Sequence, residues 1–109
     1  MIVLIFVLIL LTAQPVCAEN NYPSVDALRV VYSMELPYEY DALEPVISEQ
    51  TMRLHHGGHM RRYVDKLANL VVNTPYSVLP LSRIVLLSDS SVYDQEIFNN
   101  AGQVFNHSL

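Results

Sequence analysis

Three of the chain's four histidines fall within five residues, in Leu54-His55-His56-Gly57-Gly58-His59-Met60-Arg61-Arg62-Tyr63. His55, His59 and Tyr63 are spaced i, i+4, i+8. On a helix of ~3.6 residues per turn that spacing keeps all three within about 80° of one face. Two imidazoles one turn apart can share a metal ion, or one can bind it while the other steadies it from behind. The fourth histidine closes a second row of the same spacing, Asn99, Gln103, His107. Imidazoles, a phenol and an amide form the only combination in the chain that suggests redox or metal chemistry. No serine lies in a nucleophile elbow, no carboxylates pair at catalytic spacing, and no HExxH or CxxC pattern occurs. The ordinary reading stays open beside the chemical one: hydrogen-bonded surface imidazoles on one helix, and a solvated face at Gln103 and His107 on the other.

The elements that would carry these rows are helical. Ser48 is a suitable N-cap, with Glu49 in the first turn where a carboxylate suits the helix dipole. The spacing of Met52, His55, His59, Tyr63, Leu67 and Leu70 predicts a helix from about Glu49 to Val72. Asn73-Thr74-Pro75 stops it. Gly57 and Gly58 break its local rules, since each costs ~1 kcal/mol against alanine in a helix interior. Two such residues beside a histidine cluster point to a site, a distorted turn or a close helix contact. Pro80 to Leu87 reads as a short apolar helix, and Ser88 to Ser91 as caps for the next. The last helix runs from about Val92 to the end, with Ile97, Phe98, Ala101, Val104, Phe105 and Leu109 as its apolar stripe. The result is an all-α fold, a long antiparallel helical hairpin.

Ahead of the hairpin, Met1 to Thr12 is wholly apolar, too short for a spanning helix of about 20 residues. Small residues at Val16 and Ala18 fit a leader cleaved after residue 18, with an uncleaved anchor or an organelle-targeting leader as alternatives. The chain is thus expected to be exported or organelle-targeted, with no stable membrane span after cleavage. Cys17 is its one cysteine, so no intrachain disulfide forms. Residues 19–33 read as an extended arm in which Asp26 to Tyr32 can form a helical turn or two. Tyr38, Tyr40 and Leu43 are expected to fold the following segment onto the core. A net charge of −5 argues against nucleic acid as the main partner. Arg53, Arg61, Arg62 and Lys66 form a basic patch that could steer a small anion. Asn106-His107-Ser108 matches a glycosylation sequon, and a glycan there would exclude a buried role for His107.

Several ordered segments resemble the N-terminal helical-hairpin domain of the iron/manganese superoxide dismutases. They are Glu35-Leu36-Pro37-Tyr38 with Asp41-Ala42-Leu43-Glu44-Pro45, Ile47-Ser48, and Leu54-His55-His56-Gly57 with His59 and Tyr63-Val64. The last is Phe98-Asn99-Asn100-Ala101-Gly102-Gln103-Val104 with Asn106-His107-Ser108-Leu109. The resemblance covers roughly residues 34–109. It implies that His55 and His107 are metal ligands, and that His59 and Tyr63 line the substrate funnel. It makes Gln103 the amide that hydrogen-bonds metal-bound solvent. An amide from this domain favours iron, with manganese the alternative, at one ion per subunit. The implied reaction takes two superoxide and two protons to O2 and H2O2, in a homodimer or tetramer.

The departures are Met60 where a second adjacent histidine is frequent, Val46 where histidine is common, and Phe105 for a frequent tryptophan. Relatives continue into an α/β domain that donates an aspartate and a third histidine. This sequence stops two residues after His107, so it reads as the N-terminal part with two of four ligands, and weak metal binding and little or no dismutation are expected of it alone. The alternative function is a non-enzymatic secreted hairpin that binds metal or a partner through its histidines.

Overall fold

The computed structural model describes residues 22–32 and 35–109, so the readings of the leader and of Cys17 lie outside the described residues. The chain orders as α1 (Val25–Tyr32), α2 (Glu49–Met52), a π-helical segment (Arg53–Met60) and α3 (Arg61–Val71). A 3-10 turn (Pro75–Val78), α4 (Leu81–Ser88), a second 3-10 turn (Val92–Asp94) and α5 (Gln95–His107) follow. No strand occurs among the described residues, and no helix there is long and apolar enough to cross a membrane.

The helix expected from Glu49 is continuous in path but not in type. Ser48 caps it as predicted, its Oγ accepting from the Thr51 amide at 3.2 Å. Eight residues from Arg53 to Met60 then adopt the wider π-helical winding, which is rare and concentrates at functional sites. The two glycines sit in it. A Cβ on Gly57 would meet only the Tyr40 hydroxyl, at an ordinary 3.7 Å, and one on Gly58 would meet nothing within 4 Å. The glycines therefore mark a change of winding and not a close helix contact. Helix α3 ends at Val71. Asn73 takes the left-handed conformation at φ 60°, which asparagine tolerates better than other side-chain-bearing residues. The Thr74 hydroxyl donates to the Val71 carbonyl at 2.6 Å, and Pro75 opens the 3-10 turn.

Helices α3 and α5 form the hairpin, with α4 packed along α5 and α1 along α3. The core is built from Leu28 and Tyr32 of α1, Val64, Leu67, Ala68 and Val71 of α3, Ile84 of α4, and Ile97, Ala101 and Val104 of α5. The row of Met52, His55, His59, Tyr63, Leu67 and Leu70 is not the core face of the first long helix. Of that row only Leu67 is fully buried, while Met60, Val64, Ala68 and Val71 supply the remaining contacts. The histidine row runs beside the core stripe. On α5 the ends of the predicted stripe are also corrected: Phe98 and Phe105 are half-buried, and Leu109 is exposed. Asn100 is buried instead, its amide donating to the Glu96 carbonyl at 2.7 Å.

Two expectations for the N-terminal half also change. Within the arm predicted for 19–33, the helical option is the one realised, as two turns over Val25–Tyr32. Leu28 drives this docking, because burying it removes a large apolar side chain from water, worth ~1.5–3 kcal/mol. Tyr32 buries its ring as well, but its hydroxyl has no partner among the described residues, which offsets much of that gain. Arg29 lies 3.0 Å from Asp65 of α3 and adds a peripheral ion pair. Tyr40 does not reach the core. Its hydroxyl pairs with His56 Nδ1 at 2.9 Å and its ring lies under the Arg53 guanidinium, 4.6 Å from centroid to carbon. The segment before α2 thus clamps the π-helical winding from outside.

Candidate metal centre

The π-helical segment fixes where the histidines point. With i to i+5 hydrogen bonding there are about 4.4 residues per turn, or about 82° per residue. His55 to His59 therefore falls about 33° short of a full turn, where an α-helix would overshoot by about 40°. From His59 to Tyr63 the winding is largely α-helical and the overshoot returns. The offsets nearly cancel between the ends, so Tyr63 returns to the direction of His55, with His59 about 33° to one side between them. Their rings touch in sequence: His55 and His59 have centroids 5.4 Å apart, and His59 meets Tyr63 edge to face at 5.0 Å.

Helix α5 brings His107, its last residue, against that row. The His107 ring is 5.2 Å from His55, 6.1 Å from His59 and 6.2 Å from Tyr63, centroid to centroid. Residues 52 positions apart in the sequence thus close one cluster at the open end of the hairpin. His107 Nδ1 lies 2.7 Å from the Gln103 carbonyl oxygen. A carbonyl can only accept, so Nδ1 carries the proton and Nε2 keeps its lone pair for a metal.

The separation of His55 and His107 fits a shared ion. A metal about 2.1 Å from each ring nitrogen, with a 90–110° angle between ligands, sets imidazole centroids roughly 4.5–5.3 Å apart. The pair falls within that span, and His59 with His107 does not. Among the described residues no three His, Cys, Asp or Glu side chains converge well enough to hold a metal together. The cluster thus offers two imidazoles to one ion, with His59 and Tyr63 beside it. His59 is held differently. Its Nδ1 faces the Arg62 guanidinium at 3.4 Å, and a guanidinium only donates. The neutral His59 ring therefore carries its proton on Nε2.

Gln103 is brought near the cluster through its backbone. Its exposed side-chain amide has no hydrogen-bond partner among the described residues. It lines an open groove of about 570 Å³ between α3 and α5, together with Tyr63, Asn99 and Asn100. The row Asn99, Gln103, His107 is thus polar as expected, with only His107 reaching the ring cluster. Asn106 is exposed and does not enter the cluster. Two polar residues escaped assignment from sequence. Asn100 interrupts the apolar stripe of α5 at a buried position, a visible signal. Arg62 could not be told apart from three neighbouring cations until their partners were located.

With this geometry in hand, the comparisons are specific. Residues 32–109 match the alpha-hairpin domain of iron/manganese superoxide dismutases. A superoxide dismutase (Mn/Fe) of Porphyromonas gingivalis is 46% identical over 76 residues, covering 70% of this chain and 37% of that protein. A superoxide dismutase (Fe) of Coxiella burnetii is 47% identical over 75 residues, covering 69% and 36%. A superoxide dismutase (Mn) of Buchnera aphidicola is 36% identical over 76 residues, covering 68% and 37%. The chain therefore spans well under half the length of the curated relatives it matches.

Proposed function

We propose, from the premise that this chain belongs to the iron/manganese superoxide dismutases, that it supplies the helical-hairpin side of a superoxide-dismutating metal centre. The observation that carries this reading is the His55–His107 pair, 5.2 Å apart on opposite arms of the hairpin. His55 and His107 would hold the ion. The Gln103 carbonyl holds His107 in the tautomer that presents Nε2. The bound metal would supply one-electron redox cycling, taking an electron from one superoxide and returning it to a second.

The surrounding residues do the remaining work. His59 and Tyr63, packed edge to face, fence one side of the site and narrow the approach to small molecules. Reduction of superoxide to H2O2 consumes two protons, and the proton-bearing atoms on that side are His59 Nε2 and the Tyr63 hydroxyl. The Gln103 amide, unpaired in its groove beside Tyr63, would hydrogen-bond metal-bound solvent, a role that rests on the resemblance. Its origin on α5 favours iron over manganese. The same reading carries one ion per subunit and a homodimer or tetramer, which rest on the resemblance, and an export or organelle address, which rests on residues 1–18.

A metal titration tests the site directly. Mn(II) added to the 109-residue chain and followed by electron paramagnetic resonance should bind at one ion per chain. His55→Ala or His107→Ala should each weaken binding at least about tenfold, since a ligand matters at least as much as its outer supports. Unchanged affinity in both variants refutes the assignment.

A further inference from the structure

Four cations decorate the helix that carries the histidine row, and three are neutralised. Arg53 pairs with Glu49 at 2.7 Å, Arg61 with Asp65 at 3.4 Å, and Lys66 with Glu96 of α5 at 2.6 Å. Among the described residues Arg62 alone of the four has no carboxylate partner. Among the described residues its side chain hydrogen-bonds His59 Nδ1. Arg62 also lines an open pocket of about 200 Å³ with His59, Tyr63, Lys66 and Asn100. No carboxylate belongs to that lining. Every member of it can donate a hydrogen bond: the guanidinium, His59 through Nε2, the Tyr63 hydroxyl, the Lys66 ammonium, and the second amide hydrogen of Asn100. An uncompensated charge among convergent donors, on a chain of net charge −5, is a local reversal of sign beside the metal ligands.

We infer that Arg62 receives a small monoanion at this corner of the site, with His59 and Tyr63 as its hydrogen-bond donors. The inference rests on the metal-centre reading only for the identity of that anion as superoxide. Arg62 acts in two ways. Its charge draws the anion, and its hydrogen bond to Nδ1 keeps the His59 proton on Nε2. It is a positioning residue for the approach, since the reacting electrons pass elsewhere.

The test uses azide, a small monoanion that is not consumed, titrated into the metal-free 109-residue chain at low ionic strength. Histidine and tyrosine ring signals are followed by nuclear magnetic resonance. Saturable movement of the His59 and Tyr63 signals is expected. Arg62→Gln should raise the Kd about tenfold, because one unit charge a few ångströms from the anion is lost. Glutamine can still donate to Nδ1, so the His59 nitrogen shifts should keep their Nε2–H signature and separate charge from tautomer. Arg62→Lys should restore affinity to within about threefold. Arg83→Gln, on α4 and outside the pocket, should change nothing. Wild-type affinity in the Arg62→Gln variant, or no saturable response of His59 and Tyr63 in the parent, overturns the inference. Loss of metal binding would instead sink the proposed function and leave the azide result standing.

Discussion

Replacing Gly57 and Gly58 together with alanine asks what maintains the π-helical winding under the histidine row. Both positions have room for a Cβ, with the Tyr40 hydroxyl at 3.7 Å from one and no atom within 4 Å of the other. Neither glycine has the positive φ that would penalise alanine. Each replacement removes backbone freedom from the unfolded chain and should stabilise by about 0.5–1 kcal/mol. The pair should therefore add about 1–2 kcal/mol, raising Tm by roughly 4–8 °C for each kcal/mol. The external clamp through Tyr40, His56 and Arg53 should hold the winding, so Mn(II) affinity should stay within about threefold. Thermal unfolding by circular dichroism and the metal titration read the two effects separately. A double variant that gains stability but loses metal refutes the clamp. It would mean alanine had drawn the segment into an α-helix and rotated His55 by about 70° relative to His59. A lower Tm would refute the steric argument itself.

Two further outcomes follow from the connection between the long helices. The Tyr76 hydroxyl donates to Asp94 at 2.8 Å. That bond, with burial and the Asp94 charge behind it, holds the phenol above its ordinary value of 10.0. A raised phenol favours the folded state below pH 10 and loses that contribution as pH rises through the folded value. Tyr76→Phe should thus cost about 1 kcal/mol at neutral pH. Urea unfolding should show the gap to the parent closing above about pH 10, and a gap that widens there would contradict the assignment. At Asn73, with φ 60°, a valine should cost about 1–2 kcal/mol and a glycine almost nothing. Equal urea midpoints for the two variants would show that the left-handed turn is not strained by a branched side chain.

Much of this molecule was legible because its signals are local. Ser48 before Glu49, Asn73-Thr74-Pro75 after Val71, and the short apolar run now seen as Leu81–Ser88 each announce a boundary within a few residues. The pairing of His55 with His107 came from the resemblance and not from periodicity, since no spacing rule joins residues on separate helices. The π-helical winding was not legible. The period placed Leu67 and Leu70 on the histidine face, but the buried stripe of α3 is Val64, Leu67, Ala68 and Val71, one position over, because that flank is the one α1 and α5 cover. The burial of Asn100 and the half-exposure of Phe98 and Phe105 likewise depend on which flank of α5 is covered by α4. The singular position of Arg62 depends on where three carboxylates lie. These are tertiary facts, and propensity has no access to them.

Helix α1 separates two ideas of what this domain is. The match to the family's alpha-hairpin domain begins at residue 32, yet Leu28, at 1% exposure, is among the largest fully buried side chains. The boundary of the family domain and the unit of folding therefore differ by about two helical turns. Expression pieces cut at residue 32 would uncover the part of α3 that Leu28 and its helix pack against. Any measurement of metal or anion binding on such a piece would then report on a damaged hairpin.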